Sequence, residues 1–227
     1  NKMLNYKESM IEDNTKGIEY LFKKNKITLI DGWASFIDKN TITVDGKNFE
    51  ANHFVIASGS EATSLNNIKF DEKVIVSSTG ALELKKIPEK MIVVGAGVIG
   101  LEMGSIYSRL GTEVEVIEFY DKVLNGMDHD ISKNFKTILK KQGFKFHLSC
   151  SVSTITKEKE GVKVTYEHRD SSNHNELSAD VVLVATGRKP FTENLKIENI
   201  GVEINSKGQI ETDSNWRTTI KNIFAIG

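Results

Sequence analysis

Apolar residues Ile11, Ile18 and Phe22, with Leu21 beside them and charges elsewhere, recur at helical spacing and predict an amphipathic helix over residues 4–24. The pattern then shortens. The runs "ITLI" (27–30), "WASFI" (33–37), "TITV" (41–44) and "HFVIAS" (53–58) are strand-sized, and Asp45-Gly46 predicts a hairpin turn after the third. A polar connection follows, with a short helix predicted over 79–84 and capped by Ser77 or Ser78. From "MIVV" (91–94) the pattern reads strand, helix (Ile99, Met103, Ile106, Leu110), strand, which is a βαβ unit over 91–118. Ile131, Phe135, Ile138 and Leu139 predict a further helix over 131–142, with Asp128 or Asp130 as N-cap and Gly143 as stop. Three strands are expected near 145–157, 161–167 and 178–185, with the polar "RDSSNHNE" (169–176) as a turn or loop. The class is α/β.

One short pattern recurs. "VIASG" (55–59) and "LVATG" (183–187) share two apolar residues, Ala, a hydroxyl residue and Gly, and "IFAIG" closes the chain. An apolar strand ending this way lets a backbone approach a ligand closely.

The 227 residues are 39% hydrophobic and 27% charged, the balance of an ordinary globular protein, in one large domain or two modest ones. A net charge of −1 gives no electrostatic reason to expect nucleic acid or an anionic membrane as partner. No apolar run reaches membrane-spanning length, and "NKMLNYKESM" lacks the apolar stretch of a signal peptide. A single cysteine, Cys150, excludes an internal disulfide framework and fits a reducing compartment. The chain opens without Met and stops on a strand-like run at its first glycine, so a piece of a longer polypeptide is expected.

The most specific chemistry lies at Gly95-Ala96-Gly97-Val98-Ile99-Gly100. A lone GxGxxG is weak evidence, but this one follows a buried-strand pattern and opens a helix. Gly95 serves the tight turn, Gly97 leaves room for a pyrophosphate, and Gly100, with Gly104 a turn later, lets helix and strand pack closely. Free N–H groups and the helix dipole then face the phosphates. Glu118 at the end of the second strand is placed to accept hydrogen bonds from an adenosine ribose diol. It repels a 2′-phosphate, and the adjacent Phe119 and Tyr120 supply no cation, which favours NAD over NADP. The bland alternatives are a plain glycine turn and a solvated strand-end acid, and the context outweighs both. For Glu102, helix-end electrostatics and a cofactor contact stand level.

Other signals yield to simpler readings. His147 and Cys150, three apart on one expected strand, fall on opposite faces and make no metal pair, and Cys150 reads as a buried thiol. The acids of "MDHD" (127–130) suit a helix N-terminus better than a metal. No catalytic residue and no metal site is read from the chain.

Taken together, "FVIASGSEAT", "VIVSSTGALEL", "MIVVGAGVIGLEMGSIYSRLGTEVEVIEF", "DISKNFKTILKKQGFKF" and "VVLVATGRKPFTENL" resemble the flavoprotein pyridine nucleotide-disulfide oxidoreductases over nearly the whole chain. "GVIGLEMGS", "KQGFKF" and "GRKPFTENL" point to their dihydrolipoyl dehydrogenase branch. The resemblance implies a Rossmann-like NAD domain inserted in a partial FAD domain. Residues 1–64 would be FAD domain, 65–190 NAD domain, and 191–227 the return to the FAD domain. It implies NAD contacts at Gly95, Ala96, Gly97, Val98, Ile99, Gly100, Leu101 and Glu102, where it lifts Glu102 above its bland reading, and at Glu118, Val152 and Gly187. It implies FAD contacts at Ser58, Gly59 and Ser60, with Ser58 in place of the usual Thr, and at Ala34, often Gly in the family.

The implied reaction passes electrons from dihydrolipoamide through a protein disulfide and FAD to NAD⁺, with redox cysteines and an acid/base His outside this chain. The implied partners are a lipoyl domain of a 2-oxo-acid dehydrogenase or glycine cleavage complex and a second copy of the full-length protein. The implied compartment is bacterial cytoplasm or mitochondrial matrix. Two alternatives stay open: a glutathione, mercuric or transhydrogenase-type relative, and a dinucleotide-binding module without chemistry.

Overall fold

The computed structural model describes residues 2–65, 68–171 and 173–227. Asn1, where the expected first segment begins, lies outside the described residues, as does Ser172 of the expected 169–176 loop. The chain forms two compact units: a split unit, 1–61 with 189–227, and a central unit, 62–188. The junctions expected from the resemblance were 64/65 and 190/191; the compact units divide at 61/62 and 188/189.

The central unit is built on a five-stranded parallel sheet, ordered Ile75–Val76, Val181–Val184, Lys90–Val94, Glu113–Ile117, Lys145–His147. Strands Val181–Val184 and Lys90–Val94 read as near-continuous apolar runs because both faces are covered. Met91 and Val93 point to one face, where Leu101 and Tyr107 of helix Val98–Arg109 and Leu139 of helix His129–Lys141 pack on them. Ile92 and Val94 point to the other, against Val162, Val164 and Tyr166 of an antiparallel sheet, Cys150–Lys157, Val162–His168 and His174–Ala179.

Glu115 is buried within this sheet. Burial alone would raise its pKa, but the His147 ring at 2.8 Å, Lys90 at 3.1 Å and the charge of Lys145 hold it below the usual carboxylate range. His147 Nδ1 in turn lies 3.0 Å from the Tyr166 hydroxyl.

Two runs read as single strands serve two sheets. The 145–157 run breaks after His147, with Ser149 at φ 54°, and the 178–185 run breaks at Asp180. His147 and Cys150 therefore stand in different sheets rather than on opposite faces of one strand. The strand beginning at His174 takes the end of the expected 169–176 loop. The short helix is Ser78–Ala81, with Ser77 Oγ accepting the Thr79 N–H, and Asp128 caps helix His129–Lys141. On that helix Leu139 is buried, whereas Ile131 and Ile138 of the expected apolar face are exposed.

The split unit pairs Phe54–Ile56 with Ile223–Ala225 in parallel, so "FVI" and "IFA" lie side by side. It also folds Ala34–Asp38, Thr41–Val44 and Lys47–Glu50 into an antiparallel sheet. Asp45 and Gly46 both have positive φ, as a two-residue type I′ hairpin demands. Phe36, Ile56, Ile197, Ile200 and Ile223 form its core.

Two expectations fail here. Residues 27–30 are not a strand: the N–H groups of Lys26 and Ile27 close the end of helix Lys2–Lys24 on the carbonyls of Lys23 and Phe22, with Lys26 left-handed. The helix itself buries no residue: Ile11, Ile18 and Leu21 of its apolar stripe are exposed and Phe22 is half-buried.

Candidate dinucleotide site

The glycine loop is shaped by backbone packing. Gly95 donates to the Ile117 carbonyl at 2.8 Å and sits at φ 105°, where a Cβ would stand 2.5 Å from the Ala185 carbonyl oxygen. A Cβ on Gly100 would meet the Gly95 carbonyl oxygen at 2.2 Å. Gly97 differs: its φ of −78° suits any residue, and nothing lies within 4 Å of where its Cβ would be. The open space at Gly97 borders the first turn of helix Val98–Arg109, whose N–H groups have no intrahelical acceptor and favour an anion.

Glu118 follows strand Glu113–Ile117 and is only 8% exposed. One carboxylate oxygen accepts the Ala96 N–H at 2.5 Å and the other the Tyr120 N–H at 2.9 Å. The acid thus ties the glycine loop to the strand end 22 residues later. Each oxygen keeps a lone pair, which is what a ribose diol needs.

Loop and acid open on one cavity of about 610 Å³, within the range of small-molecule sites. Gly95, Gly97, Val98, Ile99, Glu118, Val152 and Gly187 line it. Ala96 is buried and turns its N–H to Glu118, Gly100 and Leu101 are buried, and Glu102 is exposed on the helix; these four do not line the cavity.

The sequence reading missed several lining residues, among them Phe119, Tyr120, Asn125, Ala185 and Cys150. Cys150 was legible in principle, since strand alternation puts it on the face of Val152. Burial pushes its thiol pKa up, and the thiol donates to the Leu148 carbonyl at 3.2 Å, so it is a wall and not a nucleophile. Among the described residues no group of three His, Cys, Asp or Glu is placed to hold a metal ion.

The residues expected at a flavin lie in the split unit. Ala34 opens strand Ala34–Asp38 and is half-buried; Ser58, Gly59 and Ser60 are exposed where the chain leaves strand Phe54–Ile56. Phe191 links the two places, with its ring centroid 6.0 Å from that of Trp33 and its N–H donating to the Gly59 carbonyl at 2.9 Å. Gly59 has φ 72° and nothing within 4 Å of a Cβ position, so its backbone is open to close approach.

The sequence matches the family described as "Pyridine nucleotide-disulphide oxidoreductase" over residues 3–227. It is 45% identical to dihydrolipoyl dehydrogenase 1, mitochondrial, of Arabidopsis thaliana, over 99% of this chain and 45% of that protein. It is 45% identical to the mitochondrial dihydrolipoyl dehydrogenase of Rattus norvegicus, over 100% of this chain and 46% of that protein. Among solved structures it superposes on the HOCl-induced flavoprotein disulfide reductase RclA from Escherichia coli with a TM-score of 0.78 and 30% identity, over 96% of this chain and 51% of that one. The chain spans about half the length of the curated relatives it matches.

Proposed function

The chain belongs to the pyridine nucleotide-disulphide oxidoreductases, and from that premise we propose that its central unit binds NAD and that the intact protein oxidises dihydrolipoamide. Electrons would pass through a redox disulfide and FAD to NAD⁺. The observation that carries the NAD reading is the convergence of the glycine loop and Glu118 on one cavity, joined by the Ala96 N–H bond. In this reading the N–H groups around Gly97, Val98 and Ile99 receive the pyrophosphate, Glu118 the adenosine ribose, and Val152 forms an apolar wall beside the adenine. Gly187 lines the cavity without a side chain to obstruct it.

NAD⁺ bound there supplies the hydride acceptor, and FAD the relay from the disulfide. Ser58, Gly59, Ser60 and Ala34 would hold part of the flavin nucleotide. With Cys150 the one cysteine, the redox disulfide of this reading belongs to residues beyond these 227. The dihydrolipoyl assignment rests on 45% identity to dihydrolipoyl dehydrogenases, against 30% to the HOCl-induced reductase. The reading also takes in what the resemblance implies: a homodimer of the intact protein, in bacterial cytoplasm or the mitochondrial matrix, serving a lipoyl domain of a 2-oxo-acid dehydrogenase or glycine cleavage complex; the relatives named above are mitochondrial. None of the described helices is long and apolar enough to cross a membrane.

Gly97→Val tests the site cleanly, because the position is open and its φ suits any residue. NAD⁺ affinity should fall tenfold or more, roughly 1.4 kcal/mol, while the fold is kept with only a small drop in unfolding midpoint, because Gly97 is the N-cap of the helix and Val caps less well than Gly. Unchanged affinity in calorimetric titration would remove the pyrophosphate from this loop. The intact protein should reduce NAD⁺ with dihydrolipoamide; binding without turnover would favour a non-catalytic module.

A further inference from the structure

Beside Phe119, at the acid end of the cavity, stands a cation that does not itself line the cavity and that adjacency in sequence does not show. Arg169 lies 51 positions after Glu118, yet its guanidinium carbon stands 4.4 Å from the ring centroid of Phe119, a cavity-lining residue. Backbone bonds fix this approach. The Ser149 N–H donates to the Tyr120 carbonyl at 2.9 Å, the Cys150 N–H to the Glu118 carbonyl at 2.9 Å, and the Arg169 N–H to the Ser149 carbonyl at 2.8 Å. Arg169 is also one residue past His168, the strand partner of cavity-lining Cys150.

Its charge is not spent on a neighbouring acid. Asp170 lies 3.8 Å from the His168 ring, Asp121 acts on Lys136, and both Glu118 oxygens hold backbone N–H groups. Among the described residues no carboxylate lies within ion-pair reach of Arg169. A guanidinium already steadied on a ring loses little freedom when a phosphate takes its fork. At the adenosine end of a dinucleotide, the one phosphate available is a 2′-phosphate.

We propose that Arg169 is a specificity-determining residue of this cavity: held over Phe119, it meets the 2′-phosphate of an NADP-type dinucleotide and moderates the preference for NAD that Glu118 imposes. The proposal rests on the dinucleotide reading of the cavity. Glu118 and Arg169 then set the selectivity between them, the acid favouring the free diol and the cation recovering part of the phosphorylated form.

The test is calorimetric titration of the purified protein with NAD⁺ and NADP⁺ separately, in the wild type, Arg169→Ala and Arg169→Lys. Arg169→Ala should weaken NADP⁺ roughly tenfold, the scale of a charge-assisted contact, and NAD⁺ less than twofold. Arg169→Lys, which keeps the charge but not the planar fork, should recover only part of the NADP⁺ affinity. Added salt should weaken NADP⁺ more than NAD⁺ in the wild type, and this excess should be gone in Arg169→Ala. NAD⁺ binding serves as the control for folding. Equal losses for both dinucleotides, no loss for either, or a wild type that binds NAD⁺ but not NADP⁺ overturns the role of Arg169. A wild type that binds neither overturns the dinucleotide reading beneath it.

Discussion

Leu139 and Ile18 both lie on the apolar stripe of an amphipathic helix, yet Leu139 is 1% exposed and Ile18 53%. Their helices belong to different units. In the central unit the parallel sheet is covered on both faces, by helices on one side and an antiparallel sheet on the other, and Leu139 has somewhere to go. In the split unit the core gathers around Phe36, Ile56 and Ile223, and helix Lys2–Lys24 contributes no buried residue to it. An apolar stripe states that a face calls for cover. Whether cover is present is a property of the surrounding fold.

The helical glycines sharpen this contrast most. Gly100 lies in helix Val98–Arg109, where a Cβ would press on the Gly95 carbonyl; Gly17 lies in helix Lys2–Lys24 with nothing within 4 Å. The same change to Ala should have opposite signs. Gly100→Ala should destabilise the central unit by about 3 kcal/mol or more, since backbone must move to admit it. Gly17→Ala should stabilise its helix by about 0.5–1 kcal/mol through helix propensity. Urea unfolding with unit-resolved hydrogen exchange reads both, and equal signs would break the contrast.

Next in size is the stripe itself. Leu139→Ala should cost about 3 kcal/mol, for lost burial and the cavity left behind. Ile18→Ala should cost under about 0.5 kcal/mol. A comparable loss at Ile18 would mean that this stripe is covered in the protein as measured.

What the sequence revealed follows the same division between local and tertiary causes. The Gly95–Gly100 loop, Glu118, the Asp45-Gly46 hairpin and the Asp128 cap were legible because each is decided by neighbours a few residues away or by a spacing the βαβ unit fixes. The "ITLI" strand was not legible: four apolar residues satisfy the period, but the close of the preceding helix claims the N–H of Ile27. The 145–157 run could not be divided by pattern, since each half is strand-like and the break at Ser149 exists because the halves join different sheets. Strand Lys47–Glu50, with Phe49 its single apolar residue, exists because the hairpin returns it to Thr41–Val44. At the site, adjacency to Glu118 showed only Phe119 and Tyr120, while the cation over Phe119 arrives from another sheet.

The smallest effects come from two acids that repeat one device in the two units. Asp71 accepts the N–H groups of Lys73, Val74 and Ile75, each at 2.9 Å, and pairs with Lys157 at 2.7 Å. Burial alone would raise its pKa, but Lys157 and the three N–H groups outweigh that and hold it well below the usual carboxylate range. Asp213 is fully exposed and held low by the N–H groups of Arg217 and Asn215 at 2.9 and 2.8 Å. Each folded pKa lies below its unfolded value. The stabilisation is therefore complete above the ordinary carboxylate pKa and is lost as pH falls through the folded value. Asp71→Asn should cost the central unit about 1–2 kcal/mol at pH 7, with the gap from wild type closing as the medium is made strongly acidic. Asp213→Asn should move the split unit less, because solvent screens its partners. Urea midpoints of both variants between pH 7 and pH 2 check this. A gap at Asp71 that does not change with pH would assign its contribution to hydrogen-bond geometry and not to charge.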